Sequence, residues 1–494
     1  MSATGARRLR GVFGCVPKRA WLCALVACLN ATCWSLITPP FQVPDEPDHY
    51  AYVEQLALTG KPPSSSAITT YSSDEALALQ GLGTYRVRLQ PEHPAVFSQA
   101  QQEGLEADLA SAQTTPVRAT GAAGVATGEP PLYYALELIP YELGAGGTVL
   151  DRLALMRLMS ALMAGLTALF VFLFLRESLP GVSWAWSVGA MAIALTPMLG
   201  FMSGGVTPEA MLYAVSAAAF FCVARAFRRG LTPRRVAMIV TVIALGMLTK
   251  LNFVGLLPGL AFGVVVLVKR RHGGARVAAC RALAVAAAAM LALALAALAT
   301  GAVRHSQLGS PESSFQNVTG HGSLFGRVDY IWQFFLPRLP GMPNDFPGIF
   351  TSRQIWFNGL VGLYGWLDTT FPNWVYVAAL IPAGALALLA IRALFAGRAA
   401  LRSRAGELLT YVLMAAGLLI LVGSASYTGF PQIAGAYAES RYLLPLLALM
   451  GGAVALAARG AGRRWGPTVG VAILVLFLAH DIFSQLQVIA RYYG

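Results

Sequence analysis

The chain has 494 residues, 56% of them hydrophobic and only 12% charged, with a mean hydropathy of +0.60. Soluble domains carry about 25% charged residues, so the balance excludes an ordinary soluble protein and predicts an all-α integral membrane protein. The net charge of +13 does not imply nucleic acid, because no basic face interleaved with stacking aromatics accompanies it.

Residues 1–19 form a basic N-terminus with Arg7, Arg8, Arg10, Lys18 and Arg19. The apolar run Trp21–Ile37 follows. It resembles a signal peptide, but no A-x-A-type site comes after it, so it reads as an uncleaved first span. Runs such as Leu153–Leu175, Val277–Thr300 and Val471–Ala479 with its flanks recur, near the ~20 residues that a hydrocarbon core demands. Further basic clusters lie at Arg225–Arg235, Lys269–Arg281, Arg392–Arg404 and Arg459–Arg464. They occupy alternate loops, the positive-inside pattern, which puts the N-terminus in the cytoplasm and gives about eleven spans.

The implied organisation is a membrane core over 20–300 (spans one to seven), including a long outer loop at 39–150. An aromatic outer loop at 301–370 and spans eight to eleven over 371–494 complete it. Prolines break "QFFLPRLPGMPNDFPGIF" into pieces too short to span, which suits a re-entrant or interfacial segment. The absence of a fixed-period repeat argues against a transporter of inverted repeats. None of the six cysteines lies in the long outer loops, so no disulfide framework or cysteine-rich metal site is implied. "NVT" at Asn317 matches a glycosylation acceptor, but abundant Ala, Arg and Gly suggest a bacterium, where that match means little.

Polar groups gather at the outer span ends. "VPDEPDHY" brings Asp45, Glu46, Asp48 and His49 after the first span; "TGEPPLYYALE" brings Glu129 and Tyr133 before the second. Glu209 opens the fourth span in "GGVTPEAML", and Lys250 lies at the turn "LTKLNF". Asp368 stands in "GWLDTTFPNW", Glu439, Arg441 and Tyr442 in "AYAESRYLLPLL", and His480 and Asp481 in the last span. Ionisable groups at membrane depth are expensive and often mark sites. At span ends the alternative is a charge that snorkels to the headgroups. Lys250 and Arg441 read as anion clamps. Pro47 starts a helix whose positive end suits Asp45 or Glu46. Capping explains part of this motif; a divalent cation such as Mg or Mn held by Asp45, Glu46 and His49 is the other reading.

Together, "PPFQVPDEPDHYAY", "EPPLYYAL", "GGVTPEAML", "LTKLNF", "GLYGWLDTTFP" and "SRYLLPLL" resemble a bacterial family of multi-pass proteins known by a domain-of-unknown-function label and taken to be GT-C-type glycosyltransferases. The resemblance runs roughly from Ala20 to Asp481. Thr207-Pro208-Glu209 departs from the Asn-x-Asp-like sequence expected there. The resemblance implies a GT-C-like membrane core whose outer loops build the active site, with the first loop's acidic motif as catalytic base or metal ligand.

The expected function is inverting transfer of a sugar from a polyprenyl-phosphate donor to an envelope glycan or lipid acceptor, on the outer face of a bacterial inner membrane. No nucleotide pool exists there, so the donor must arrive pre-activated through the membrane. Asp45 or Glu46 is the expected catalytic residue. His49, Glu129, Tyr133, Glu209, Lys250, Asp368, Arg441 and Tyr442 are expected to bind donor phosphate or substrate. The alternatives are a transporter or flippase of a lipid-linked sugar, and a non-catalytic partner in envelope-polysaccharide assembly.

Overall fold

In the computed structural model, proline sets where many helices begin, because its fixed φ and missing N–H suit a first helical turn. The structure describes residues 16–63, 71–88, 90, 92–112, 126–127, 129–271, 273–284, 324–346, 351–429 and 439–494. The first half holds α1 (Lys18–Ile37), α2 (Glu46–Thr59), α3 (Ser73–Gly81), α4 (Thr84–Val87), α5 (Gln99–Ala112) and α6 (Leu132–Leu143). Then come α7 (Val149–Ser178), α8 (Ser183–Ala194), α9 (Pro197–Ser203), α10 (Pro208–Arg229) and α11 (Pro233–Thr249). The remainder holds α12 (Leu251–Lys269), α13 (Leu324–Phe335), α14 (Asn373–Ala396), α15 (Ala405–Gly429), α16 (Ser440–Gly460) and α17 (Gly462–Tyr493). Pro47, Pro197, Pro208 and Pro233 all lie in first turns. Helix α7 instead starts on a capping box between Thr148 and Asp151.

Among the described residues, eight helices are long and apolar enough to cross a membrane, or nine if α8 and α9, bent by 53°, form one span. The protein is therefore a multi-pass, all-α membrane protein. The eleven expected spans are not all recovered. Helix α11 has 17 residues, about 26 Å of helix, and most of the run 277–300 lies outside the described residues, as does Asn317.

Burial ranks the helices. In α10, 89% of the apolar stretch is buried, whereas in α14 only 11% is, so α10 is the hub and α14 lies at the periphery. Helix α10 packs on α7, which also packs on α1 and α8. Small residues allow the close approaches: a Cβ on Gly189 of α8 would stand 2.4 Å from the Gly451 carbonyl of α16. A Cβ on Gly200 of α9 would meet the Trp34 ring of α1 at 2.4 Å. Residues from loops and helix ends then converge at the Pro208 end of α10.

Candidate active site

The acidic motif of the first loop divides between two neighbours. Asp45 caps α2 with a left-handed backbone (φ 63°, ψ 6°), a conformation Asp tolerates better than most residues. Its side chain meets Arg441, with 3.0 Å between Oδ2 and the guanidinium. Glu46, the next residue, is fully buried and points elsewhere. Both of its oxygens bind Arg157 of α7, at 2.8 and 2.6 Å, and Oε1 also accepts the Val206 N–H at 3.0 Å. Asp48 accepts from the Tyr71 hydroxyl at 2.8 Å.

Around Asp45 the chain assembles four carboxylates on two cations. Lys250, capping the start of α12, reaches Glu129 at 2.6 Å and Glu209 at 3.0 Å. Arg441, in the first turn of α16, is shared between Asp45 and Glu439. The Thr207 hydroxyl donates to Glu209, and Tyr213 of α10 donates to the Arg441 carbonyl at 3.3 Å. The Arg441 guanidinium lies 5.3 Å from the Tyr442 ring centroid, a cation–π contact. Glu209 keeps 5% side-chain exposure and Lys250 10%, while Asp45 keeps 27% against 7% for Arg441. Asp45 is thus the most open carboxylate of the six-residue group.

His49 adjoins this group. Its Nδ1 lies 2.9 Å from the Tyr134 hydroxyl, and the charges of Glu209, Lys250, Asp45 and Arg441 all act on it. Burial pushes its pKa down to about 4, so the ring is neutral at pH 7. Tyr134 stacks on Tyr52 with centroids 3.6 Å apart, and Tyr52 donates to the Glu129 carbonyl at 3.3 Å. Burial raises the Glu129 and Glu439 carboxyls above the ordinary range. With two cations among four carboxylates the site holds an acid surplus, and the raised Glu129 and Glu439 carboxyls are the groups that a proton can neutralise.

Two expected site residues belong elsewhere. Asp368 pairs with Arg491 of α17 at 2.8 Å. The same guanidinium collects the Val87, Gln90 and His93 carbonyls, fastening the segment after α4 to the last helix. Tyr133 lies 2.8 Å from Ser160 of α7, which donates to the buried Glu137 at 3.2 Å. His480 bonds the Val361 carbonyl, and Asp481 accepts from Trp34. The divalent cation expected on Asp45, Glu46 and His49 does not fit this arrangement. Arg157 occupies both Glu46 oxygens, and His49 turns to Tyr134. Among the described residues no three His, Cys, Asp or Glu side chains form a metal-holding group.

Sequence reading left out Tyr134 and Arg157 and gave Glu439 no role. Tyr134 was signalled by the paired tyrosines of "EPPLYYAL". Arg157 had a sharper signal: a lone charge inside the apolar stretch "LALMRLMSALM".

A family model described as "Predicted membrane protein (DUF2142)" matches residues 28–450. No curated protein gives a significant match. The chain is similar to the solved oligosaccharyltransferase of Archaeoglobus fulgidus, tethered there to an acceptor peptide containing an NVT sequon, at 12% identity and a TM-score of 0.41. That similarity covers 96% of this chain and 55% of the other, so this chain spans about half the length of the oligosaccharyltransferase.

Proposed function

The chain belongs to the DUF2142 family of predicted membrane proteins, and we propose that it is a GT-C-like glycosyltransferase that moves a sugar from a polyprenyl-phosphate donor to an envelope acceptor. The reaction takes place at the extracytoplasmic face of a bacterial inner membrane. One observation carries this reading: Asp45, the most open carboxylate of the cluster, is held 3.0 Å from Arg441, in the group that also contains Lys250. A base beside two phosphate-binding cations is what displacement of a phosphate leaving group requires.

Asp45 takes the proton of the acceptor hydroxyl. The resulting oxygen attacks the anomeric carbon, the bond to the donor phosphate oxygen breaks, and polyprenyl phosphate departs. A single displacement inverts the anomeric centre. Arg441 and Lys250 offset charge growing on the leaving phosphate. Glu129, Glu209 and Glu439 hold those cations in place, and neutral His49 with Tyr134 offers hydrogen bonds to the sugar. Glu46 takes no part in the chemistry, because Arg157 holds both its oxygens.

The test is purified protein with a panel of polyprenyl-phosphate sugars, comparing wild type with Asp45→Asn and Glu46→Gln. Wild type is expected to release polyprenyl phosphate, and Asp45→Asn to release almost none. Full turnover by Asp45→Asn would remove the proposed base. Binding of donor by wild type without any transfer would favour a carrier of lipid-linked sugars.

A further inference from the structure

Arg157 uses its whole guanidinium. Nε donates to Glu46 Oε1 at 2.8 Å; one terminal nitrogen donates to the Ser35 and Thr38 carbonyls at 3.0 and 2.8 Å. The other donates to the Pro39 carbonyl at 2.9 Å and to Glu46 Oε2 at 2.6 Å. That makes five bonds for five N–H donors, the full capacity of the group, on a residue only 3% exposed.

These acceptors enclose Asp45. Ser35, Thr38 and Pro39 are the exit of α1, and Glu46 is the first residue of α2. Glu46 is also tied to Val206, just ahead of α10, by the Val206 N–H. The Asp45 backbone between them sits at φ 63°, where an L-residue needs its surroundings to hold it. The amides of Glu46 and His49 close the turn on the Val43 and Asp45 carbonyls, at 3.2 and 3.1 Å. Arg157 touches neither Asp45 nor the cations that face it in any of these bonds. It fixes both chain segments that flank Asp45.

We propose that Arg157 is a positioning residue: through Glu46 and the three carbonyls at the end of α1 it holds the left-handed turn that aims Asp45 at the reacting centre. This rests on the reading of Asp45 as the base. Catalytic groups tolerate displacement of only about 0.5 Å. A role in stability alone would make activity follow the folded fraction, provided that Glu46 keeps a neutralising charge. A lysine supplies that charge, but it has three donors and no planar fork.

The experiment compares wild type, Arg157→Lys and Glu46→Gln. It measures donor kinetics, melting, and hydrogen exchange at the Glu46 and His49 amides. Arg157→Lys is expected to stay folded and lose kcat ~30-fold. Donor KM should stay within about twofold, because Lys250 and Arg441 remain. The Glu46 and His49 amides should exchange about tenfold faster, while amides near the end of α2 keep their rates. Wild-type kcat in Arg157→Lys, or unchanged exchange at both amides, would overturn the proposal. So would a loss of activity that only follows the unfolded fraction. If Arg157→Lys does not fold, Glu46→Gln carries the same test, because it keeps the three carbonyl bonds. If wild type transfers no sugar from any donor, the transferase reading fails, and amide exchange still decides whether Arg157 holds the turn.

Discussion

At the Glu209 end of α10, four carboxylates surround two cations, and no side chain of the six is more than 27% exposed. At the Arg228 end, about 29 Å along the same helix, buried Glu177 faces Arg228 and Arg229, each 40% exposed. Arg404 joins nearby, bonding the Ser178 carbonyl at 2.6 Å and pairing with Glu407 at 2.6 Å. One end has acid in excess and is dry; the other has base in excess and is wet. Exposed pairs contribute little to stability and are screened by salt. A buried surplus of carboxylate is costly, which is why the dry end, and not the wet one, is the candidate site.

The largest expected effect separates the two ends by chemistry. Asp45→Asn keeps the shape of the side chain and removes the proposed base, so turnover should fall by roughly 10²–10⁴. Arg228→Ala, at the wet end, should leave turnover within about twofold. Steady-state release of polyprenyl phosphate measures both, and equal losses in the two variants would erase the distinction.

Next comes stability. Lys250→Met leaves Glu129 and Glu209 facing each other without their cation, an uncompensated buried charge that costs about 3–5 kcal/mol. Melting in detergent should show that loss. Adding Glu129→Gln should recover part of it, because one of the two stranded charges disappears. A Lys250→Met protein that melts like wild type would mean the dry cluster is not electrostatically locked.

Much of this contrast was legible in the chain. Arginine-rich loops and carboxylate-bearing span ends alternate visibly, and Pro208 with Glu209 marks a helix start with an acid at its positive end. Lys250 stood out as a lone cation between apolar runs. The partners were not legible, because they depend on which way a turn faces. Asp45 and Glu46 are adjacent and chemically alike, yet the left-handed φ of Asp45 sends one to Arg441 and the other to Arg157. Asp368 read as a site residue because it is a charge at an expected span end. Its partner Arg491 is 123 positions away, a pairing no local pattern encodes.

Between α2 and α3, buried acid with little cationic help extends the comparison. Glu54 of α2 is 3% exposed and Glu75 of α3 is fully buried. Burial pushes the Glu54 pKa up to about 7 and that of Glu75 well above the ordinary range. Asp74 adds to the rise at Glu54, and Arg152, with hydrogen bonds from Ser72 and Tyr141, opposes it. Because the folded state holds the Glu54 proton more tightly than the unfolded chain does, the Glu54 contribution is full below the ordinary carboxyl range and is lost as pH rises through about 7. Melting should therefore weaken by about 2–3 kcal/mol between pH 5 and 8. Glu54→Gln should flatten that slope, and a slope unchanged in Glu54→Gln would place the titrating group elsewhere.

The smallest effect belongs to the wet end. Glu177 keeps a second arginine if one is removed, so Arg229→Ala should cost no more than about 1 kcal/mol. Raising salt should shrink even that difference, since the arginine heads are open to solvent and their field is screened within about 10 Å at 0.1 M salt. The same salt series on Lys250→Met should leave its melting deficit nearly unchanged, because Lys250 and Glu209 are 10% and 5% exposed. Two deficits that respond alike to salt would mean that the ends of α10 differ in composition but not in dielectric environment.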